Sequence, residues 1–180
     1  MTNTDLVVLL DEDDQPCGTA PRAVVHHEHT PRHLAFSSYL FDAEGRVLMT
    51  RRSLVKTAWP GVWTNSCCGH PHPGEQPLDA VRRRVRDELG VAIEQPQLIL
   101  PDFGYRAVDA SGVVENEFCP VWIAQVSQPV QPDPGEIAEF TWLPWTELVR
   151  LCASAPALLS PWCVAQVPLL AERLERMRAA

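Results

Sequence analysis

Residues 64–75, TNSCCGHPHPGE, constrain this chain more than any other stretch: two thiols, two imidazoles, a carboxylate and two glycines fall within twelve positions. Little of that is core material. Gly69 and Gly74 let the backbone turn tightly and Pro71 and Pro73 stiffen what lies between, so a shaped loop is expected. Cys68 and His70 within it are nucleophile, acid/base or metal-ligand types. A helical pattern follows: Pro77 suits a first turn, Gly90 a C-terminal stop, and at about 100 degrees per residue Leu78, Val81, Val85 and Leu89 form one stripe. Glu88 lies on the edge of that stripe beside Val81, and Asp87 points roughly the opposite way. With Arg84 one turn earlier, the inward Glu88 is either half of an ion pair or a metal ligand, and the pattern leaves both open.

The rest of the chain reads as strands with a few helices. LVVLL at 6–10 is a strand entering a polar turn, and HLAFSSYLFDAEGRVLMTRR is a hairpin turning at Asp42 to Gly45. Its second strand delivers Arg51 and Arg52, and Lys56 follows in a loop. Arg and Lys beside a backbone-rich loop suit a diphosphate, although charge alone favours a solvated cluster. Between these strands PRAVVHHEHTPRH carries four of the six His with no readable period, so it is a solvated loop or part of a metal site. Two further strands, LILPDFGYRAV and VVENEFCPVWIAQV, read as a second hairpin turning at Asp109 to Gly112. Glu115 and Glu117, two apart, share one face, which the bare pattern places toward solvent, and Pro120 marks an edge or bulge. EFTWLPW is a short strand, TELVRLCASAP a helix, and the tail a helix containing Pro168.

A chain of 180 residues with 46% hydrophobic content supports one domain, 1–180, with its own core. The net charge of −8 argues against a general nucleic-acid or membrane-surface binder, while the fifteen basic residues, all Arg except Lys56, can still gather around a small anion. Six Cys are too sparse for a disulfide scaffold and no apolar run approaches the roughly 18 residues of a membrane span, so a reducing cytoplasm is expected. Cys17, Cys119, Cys152 and Cys163 are expected as buried small apolar residues.

Gly69, then five residues to Glu75, then seven to RRVRDELGV resembles the Nudix box, with Arg84 and Asp87 replacing two of its acidic positions. A box so altered and preceded by Cys68 and His70 resembles the type 1 isopentenyl-diphosphate isomerase family. The likeness continues through HLAFSSYLF, TRRSLVKTAWPGVWTNSCCGHP, YRA, ENEFCPVW and SPW. It implies an α/β fold, a Nudix-type α/β/α sandwich on a mixed sheet, in agreement with the interleaved strands and helices. It also implies a first metal site of His26, His33, His70, Glu115 and Glu117 holding Mn²⁺ or Zn²⁺, and a second at Glu88 and the Cys68 carbonyl holding Mg²⁺ against a diphosphate. Arg22, Arg52 and Lys56 would bind that diphosphate, and His27, His29 and His72 carry no role.

The reaction implied is a 1,3 proton shift converting isopentenyl to dimethylallyl diphosphate in isoprenoid biosynthesis. Protonating an unactivated alkene makes a tertiary carbocation, so an acid, a base and a dry pocket are required. Cys68 and Glu117 match that pair, Tyr105 a relay beside Glu117, and Trp162 the aromatic over the cation. A thiol of ordinary pKa starts protonated in a neutral cytosol. Which of the two protonates in the forward direction is open at this stage. A monomer is expected. The alternative is a Nudix pyrophosphohydrolase, which needs the acidic cluster that Arg84 and Asp87 alter, and a non-catalytic metal-binding module ranks third.

Overall fold

The computed structural model describes residues 5–179. LVVLL forms β1 (Leu6–Leu10), antiparallel to β2 (Pro16–Pro21) across a turn that the Asp11 carboxylate closes by accepting the amides of Asp13 and Gln15. The His-dense segment then holds one short helix, α1 (Arg22–Val25), and a two-residue strand, β3 (His33–Leu34).

The expected first hairpin exists but opens almost at once. β4 (Phe36–Phe41) and β5 (Arg46–Arg52) pair only at Phe41 and Val47, after which they part. β6 (Trp63–Thr64) fills the gap against β5, and β7 (Cys67–Gly69) fills it against β4. Part of the stretch expected as loop is therefore strand, because β4 and β5 need ladder partners once they separate. Ser66 bridges the split: its hydroxyl accepts the Leu40 amide at 2.8 Å and donates to the Leu48 carbonyl at 2.6 Å.

The second hairpin is also half right, since each of its strands is two. β8 (Glu94–Leu100) and β9 (Gly104–Val108) flank Pro101, and β10 (Val114–Phe118) and β11 (Val121–Gln125) flank Pro120. Neither proline has an amide to donate, and at each the chain leaves one sheet for the other. β9 and β10 pair in a five-stranded sheet ordered β2-β1-β3-β10-β9. β8 and β11 pair in a seven-stranded sheet whose path runs β12-β5-β4-β11-β8, with β12 spanning Ile137–Pro144. Both sheets are mixed, with β3 parallel to β10 and β4 parallel to β11.

Helices cover both faces of the larger sheet. Phe36, Leu40 and Leu48 meet Val81, Val85 and Leu89 of α2 (Pro77–Leu89) on one side. Tyr39, Val47 and Met49 meet α3 (Trp145–Ser154) and α4 (Pro161–Ala179) on the other. Strand alternation thus divides β4 and β5 between two cores, and each large apolar side chain so buried contributes roughly 1.5–3 kcal/mol. The result is the expected α/β sandwich. Gly90 ends α2 at φ +68°, where a Cβ would also stand 3.0 Å from the Gln131 carbonyl oxygen. Pro168 sits inside α4, and no helix among the described residues is long and apolar enough to cross a membrane.

Candidate active site

Strand register builds the first part of the site. In the smaller sheet Glu117 of β10 lies opposite His33 of β3 on one side and Tyr105 of β9 on the other, so three functional groups abut without any loop between them. His26 follows α1 and His70 follows β7. The rings of His26, His33 and His70 form a nearly equilateral triangle, with centroids 5.1, 5.1 and 5.6 Å apart. One donor atom from each, with a Glu117 oxygen, falls within a 4.8 Å span. Glu117 Oε1 is 3.3 Å from His70 Nε2 and 3.5 Å from His33 Nε2, and its Oε2 accepts the Tyr105 hydroxyl at 2.9 Å.

Glu115 and Glu117 are buried, not solvent-facing, because the alternate face of β10 closes onto the His-dense segment. Glu115 Oε2 lies 3.1 Å from His26 Nε2 without hydrogen-bond geometry, so both atoms, and His33 Nε2, are buried with no partner. Orphaned buried polar atoms of this kind are rare and costly, and here they converge. The Pro31 carbonyl 2.9 Å from His33 Nδ1 fixes the proton on that nitrogen and leaves the Nε2 lone pair facing the cluster. Burial drives the His70 pKa down to about 4, which keeps its ring neutral near pH 7. Burial would raise Glu117, but the His33 and His70 rings beside it outweigh that and hold the carboxyl well below the usual range. Three imidazoles and two carboxylates fit a divalent cation.

Cys68 enters from β7, opposite Ser37 of β4. Its thiol donates to Asn65 Oδ1 at 3.2 Å and lies 3.4 Å from Ser37 Oγ. Asn65 is locked: its amide hydrogens go to the Ser38 and Cys67 carbonyls, and Oδ1 also accepts Trp162 Nε1–H at 2.9 Å and the Thr64 hydroxyl at 2.8 Å. Burial pushes the Cys68 pKa up to about 12, so the resting group is S–H, more firmly than its residue type implies. Trp162 is buried, with the Arg52 guanidinium carbon 5.5 Å from its ring centre and the Tyr105 ring centre 5.6 Å away. Trp59 stands edge-on to it, held at φ +45°, a conformation few non-glycine residues adopt.

Cys68, Glu117, Tyr105, Trp162, Arg22, Arg52 and Lys56 all line one cavity of about 290 Å³. Arg22 pairs with Asp5, Lys56 with Glu136, and Arg52 donates twice to the Ala58 carbonyl, which aims its guanidinium. Glu88 lies apart, in a smaller adjoining cavity shared with Cys68, Arg52 and Lys56. It is buried on α2 as expected, and the ion pair with Arg84 is formed. Gly69 is required between these elements, since a Cβ there would stand 2.7 Å from Arg84 Cγ and 3.1 Å from the Phe36 ring. Glu75 and Arg83 of the box brace the loop: Arg83 donates to both Glu75 oxygens and to the His70 carbonyl, and Glu75 accepts the His72 amide at 2.8 Å.

Four residues escaped the sequence reading. Glu136 gathers Lys56, Arg84 at 3.3 Å and Arg22 at 3.9 Å, and Asn65, Ser37 and Gln166 form polar contacts inside the core. A Gln between apolar residues in α4 was the only available sign of the last. Cys17 is exposed, contrary to expectation, because β2 is an outer strand, whereas Cys119, Cys152 and Cys163 are buried.

A NUDIX domain model matches residues 31–163. The chain is 57% identical over 166 residues to an isopentenyl-diphosphate Delta-isomerase of Mycolicibacterium vanbaalenii, covering 92% of this chain and 91% of that protein. To its counterpart from Frankia alni it is 54% identical over 176 residues, covering 98% and 91%. Among solved structures, a Deinococcus radiodurans protein superposes with a TM-score of 0.68 at 21% identity, covering 91% of this chain and 97% of that one. The MutT protein of Methanosarcina mazei gives 0.63 at 18%, covering 83% and 97%. These two likenesses speak to the fold. The chain belongs to the NUDIX family and, within it, to the isopentenyl-diphosphate Delta-isomerases.

Proposed function

We propose that this chain interconverts isopentenyl and dimethylallyl diphosphate, with Cys68 and Glu117 moving protons on either side of the substrate alkene. The observation that carries this reading is a resting thiol and an ionised carboxylate facing the same cavity beneath three cationic side chains. Arg22, Arg52 and Lys56 bind the diphosphate: the ion pairs of Arg22 and Lys56 are exchanged for phosphate oxygens, and Arg52 is aimed by the Ala58 carbonyl. The five-carbon tail then lies against the buried Trp162 and the half-buried Tyr105, whose rings exclude the water that would trap a carbocation. Facing the cation, the Trp162 ring contributes on the order of 0.5–2 kcal/mol. Tyr105, hydrogen-bonded to Glu117 Oε2, relays its proton. Because the reaction is reversible, whichever of Cys68 and Glu117 delivers a proton in one direction accepts it in the other.

His26, His33, His70, Glu115 and Glu117 would hold Mn²⁺ or Zn²⁺, with the orphaned nitrogens and oxygen as its donors. Glu88 and the Cys68 carbonyl would hold Mg²⁺, which takes few protein ligands and keeps water and substrate phosphate. Bound there, these ions supply charge neutralisation for the diphosphate and fix the Glu117 carboxylate. Pyrophosphohydrolysis is disfavoured, since box position 84 carries an Arg and Asp87 is exposed on the far face of α2, which leaves Glu88 as the one inward carboxylate of the box helix. Incubation with isopentenyl diphosphate, following allylic product and free phosphate together, decides between them: allylic diphosphate without phosphate release is expected, and phosphate release alone refutes the reading.

A further inference from the structure

Three polar side chains with no exposure, Tyr39, Gln166 and Ser37, form a hydrogen-bonded row that ends on the Cys68 sulfur and lines no part of the cavity. The Tyr39 hydroxyl donates to Gln166 Oε1 at 2.9 Å and Gln166 Nε2 donates to Ser37 Oγ at 3.0 Å. Ser37 Oγ is 3.4 Å from Cys68 Sγ and 3.3 Å from Cys119 Sγ. Ser37 and Tyr39 alternate on the face of β4 that α4 covers, and Gln166 reaches them from the buried side of α4. An amide and two hydroxyls placed so deep are costly unless every one is satisfied, and apolar residues of the same size would pack there without that demand.

The row has a direction. A serine hydroxyl has one proton and two acceptor positions. Gln166 fills one acceptor position and the Cys119 thiol is placed to fill the other, which leaves the proton of Ser37 for Cys68. Asn65, also touching the sulfur, can only accept from it, because both of its amide hydrogens are committed to carbonyls. The sulfur therefore has an acceptor for its proton and, from a different side chain, a donor for the lone pair left when that proton departs.

We propose that Ser37 and Gln166 are positioning residues for proton transfer at Cys68, Gln166 orienting the Ser37 hydroxyl so that its proton meets the sulfur whenever Cys68 gives up its own. In that step the S–H bond breaks, the proton passes to the substrate carbon, the electron pair stays on sulfur and the Ser37 O–H hydrogen-bonds to it, with no other group consumed. A donor already in place stabilises charge that exists only during the reaction, without reorganisation. The inference rests on Cys68 being an acid/base group of the isomerase.

The test uses the full chain with its metals. Ser37→Ala should lower kcat about tenfold (about 1.4 kcal/mol) with KM within about twofold. Gln166→Met, equal in size but without polar atoms, should lower kcat by a similar factor. The double variant should be no slower than Ser37→Ala alone, because Gln166 acts through Ser37. A purely structural role would give losses that multiply and that track a fall in melting temperature. Unchanged kcat in Ser37→Ala, multiplying losses, or a raised KM at full kcat would each overturn the proposal. If Gln166→Met does not fold, Ser37→Ala decides alone. Should Cys68→Ala retain turnover, the reading of Cys68 fails; should it be inactive while Ser37→Ala is unimpaired, only this inference fails.

Discussion

Arg84→Met probes how the altered helix of the box is held together. The Arg84 side chain is 14% exposed and that of Glu88 9%, and the same guanidinium lies 3.3 Å from Glu136. Removing it leaves the Glu88 carboxylate buried and unpaired, while Glu136 keeps Lys56. Breaking a buried pair from one side costs about 3–5 kcal/mol, and the low end applies because Lys56 also acts on Glu88. For a chain of this size, about 3 kcal/mol lowers the melting temperature by roughly 6–12 °C. The loss depends on pH. Burial already raises the Glu88 pKa above the ordinary carboxyl value in spite of Arg84, and without Arg84 it rises further. A carboxyl raised in the folded state stabilises the fold at low pH and loses that contribution as pH climbs through its folded pKa. The deficit should therefore be widest at neutral pH and narrow on acidification, and Glu88→Gln in the same chain should recover most of it. Thermal melts in chelator across that range make the measurement. A melting temperature within about 2 °C of the parent at neutral pH, or a deficit that widens on acidification, refutes the reasoning.

Cys68→Ala should abolish turnover while Cys67→Ala keeps most of it, since Cys67 packs against α2 and only Cys68 lines the cavity; equal losses in kcat on folded protein would reverse the assignment. Glu115→Gln should bind less transition metal by elemental analysis, because it removes the charge beside His26, and parental metal content would exclude Glu115 as a ligand. In deuterated water, label should enter the new methyl group on one face of the three-carbon unit while a proton leaves the allylic position from the other, and reversal should wash label into that allylic position. Same-face exchange would contradict a two-sided mechanism even with Cys68 and Glu117 both essential.

The sequence made legible what depends on period and residue type. The α2 stripe, its stop at Gly90 and the inward Glu88 follow from spacing alone, and β1 and the β9–β10 turn from apolar runs broken by polar ones. What stayed hidden depends on which strand pairs with which. No local signal says that β4 and β5 part to admit β6 and β7, or that Pro101 and Pro120 mark changes of sheet instead of bulges. For the same reason the burial of Glu115 and Glu117 was missed from pattern: two carboxylates on one face look solvated until the segment that covers them is known. The resemblance named the ligands, but Ser37, Gln166 and Glu136 lie outside its motif roles and become visible only through contacts distant along the chain.

The donors of the imidazole–carboxylate cluster come from both sheets. His33 and Glu117 belong to the smaller one, and His70 directly follows a strand of the larger. A cation held at that seam would act as a rivet, joining positions 26 and 33 to 70 and 117, which the unfolded chain keeps far from them, and tying loops of such length reduces the freedom of the unfolded state most. Catalytic competence and mechanical cohesion would then fail together: withdrawing the ion would loosen the N-terminal layer, exposing residues 5–34 to proteases before the helix-covered sheet gives way.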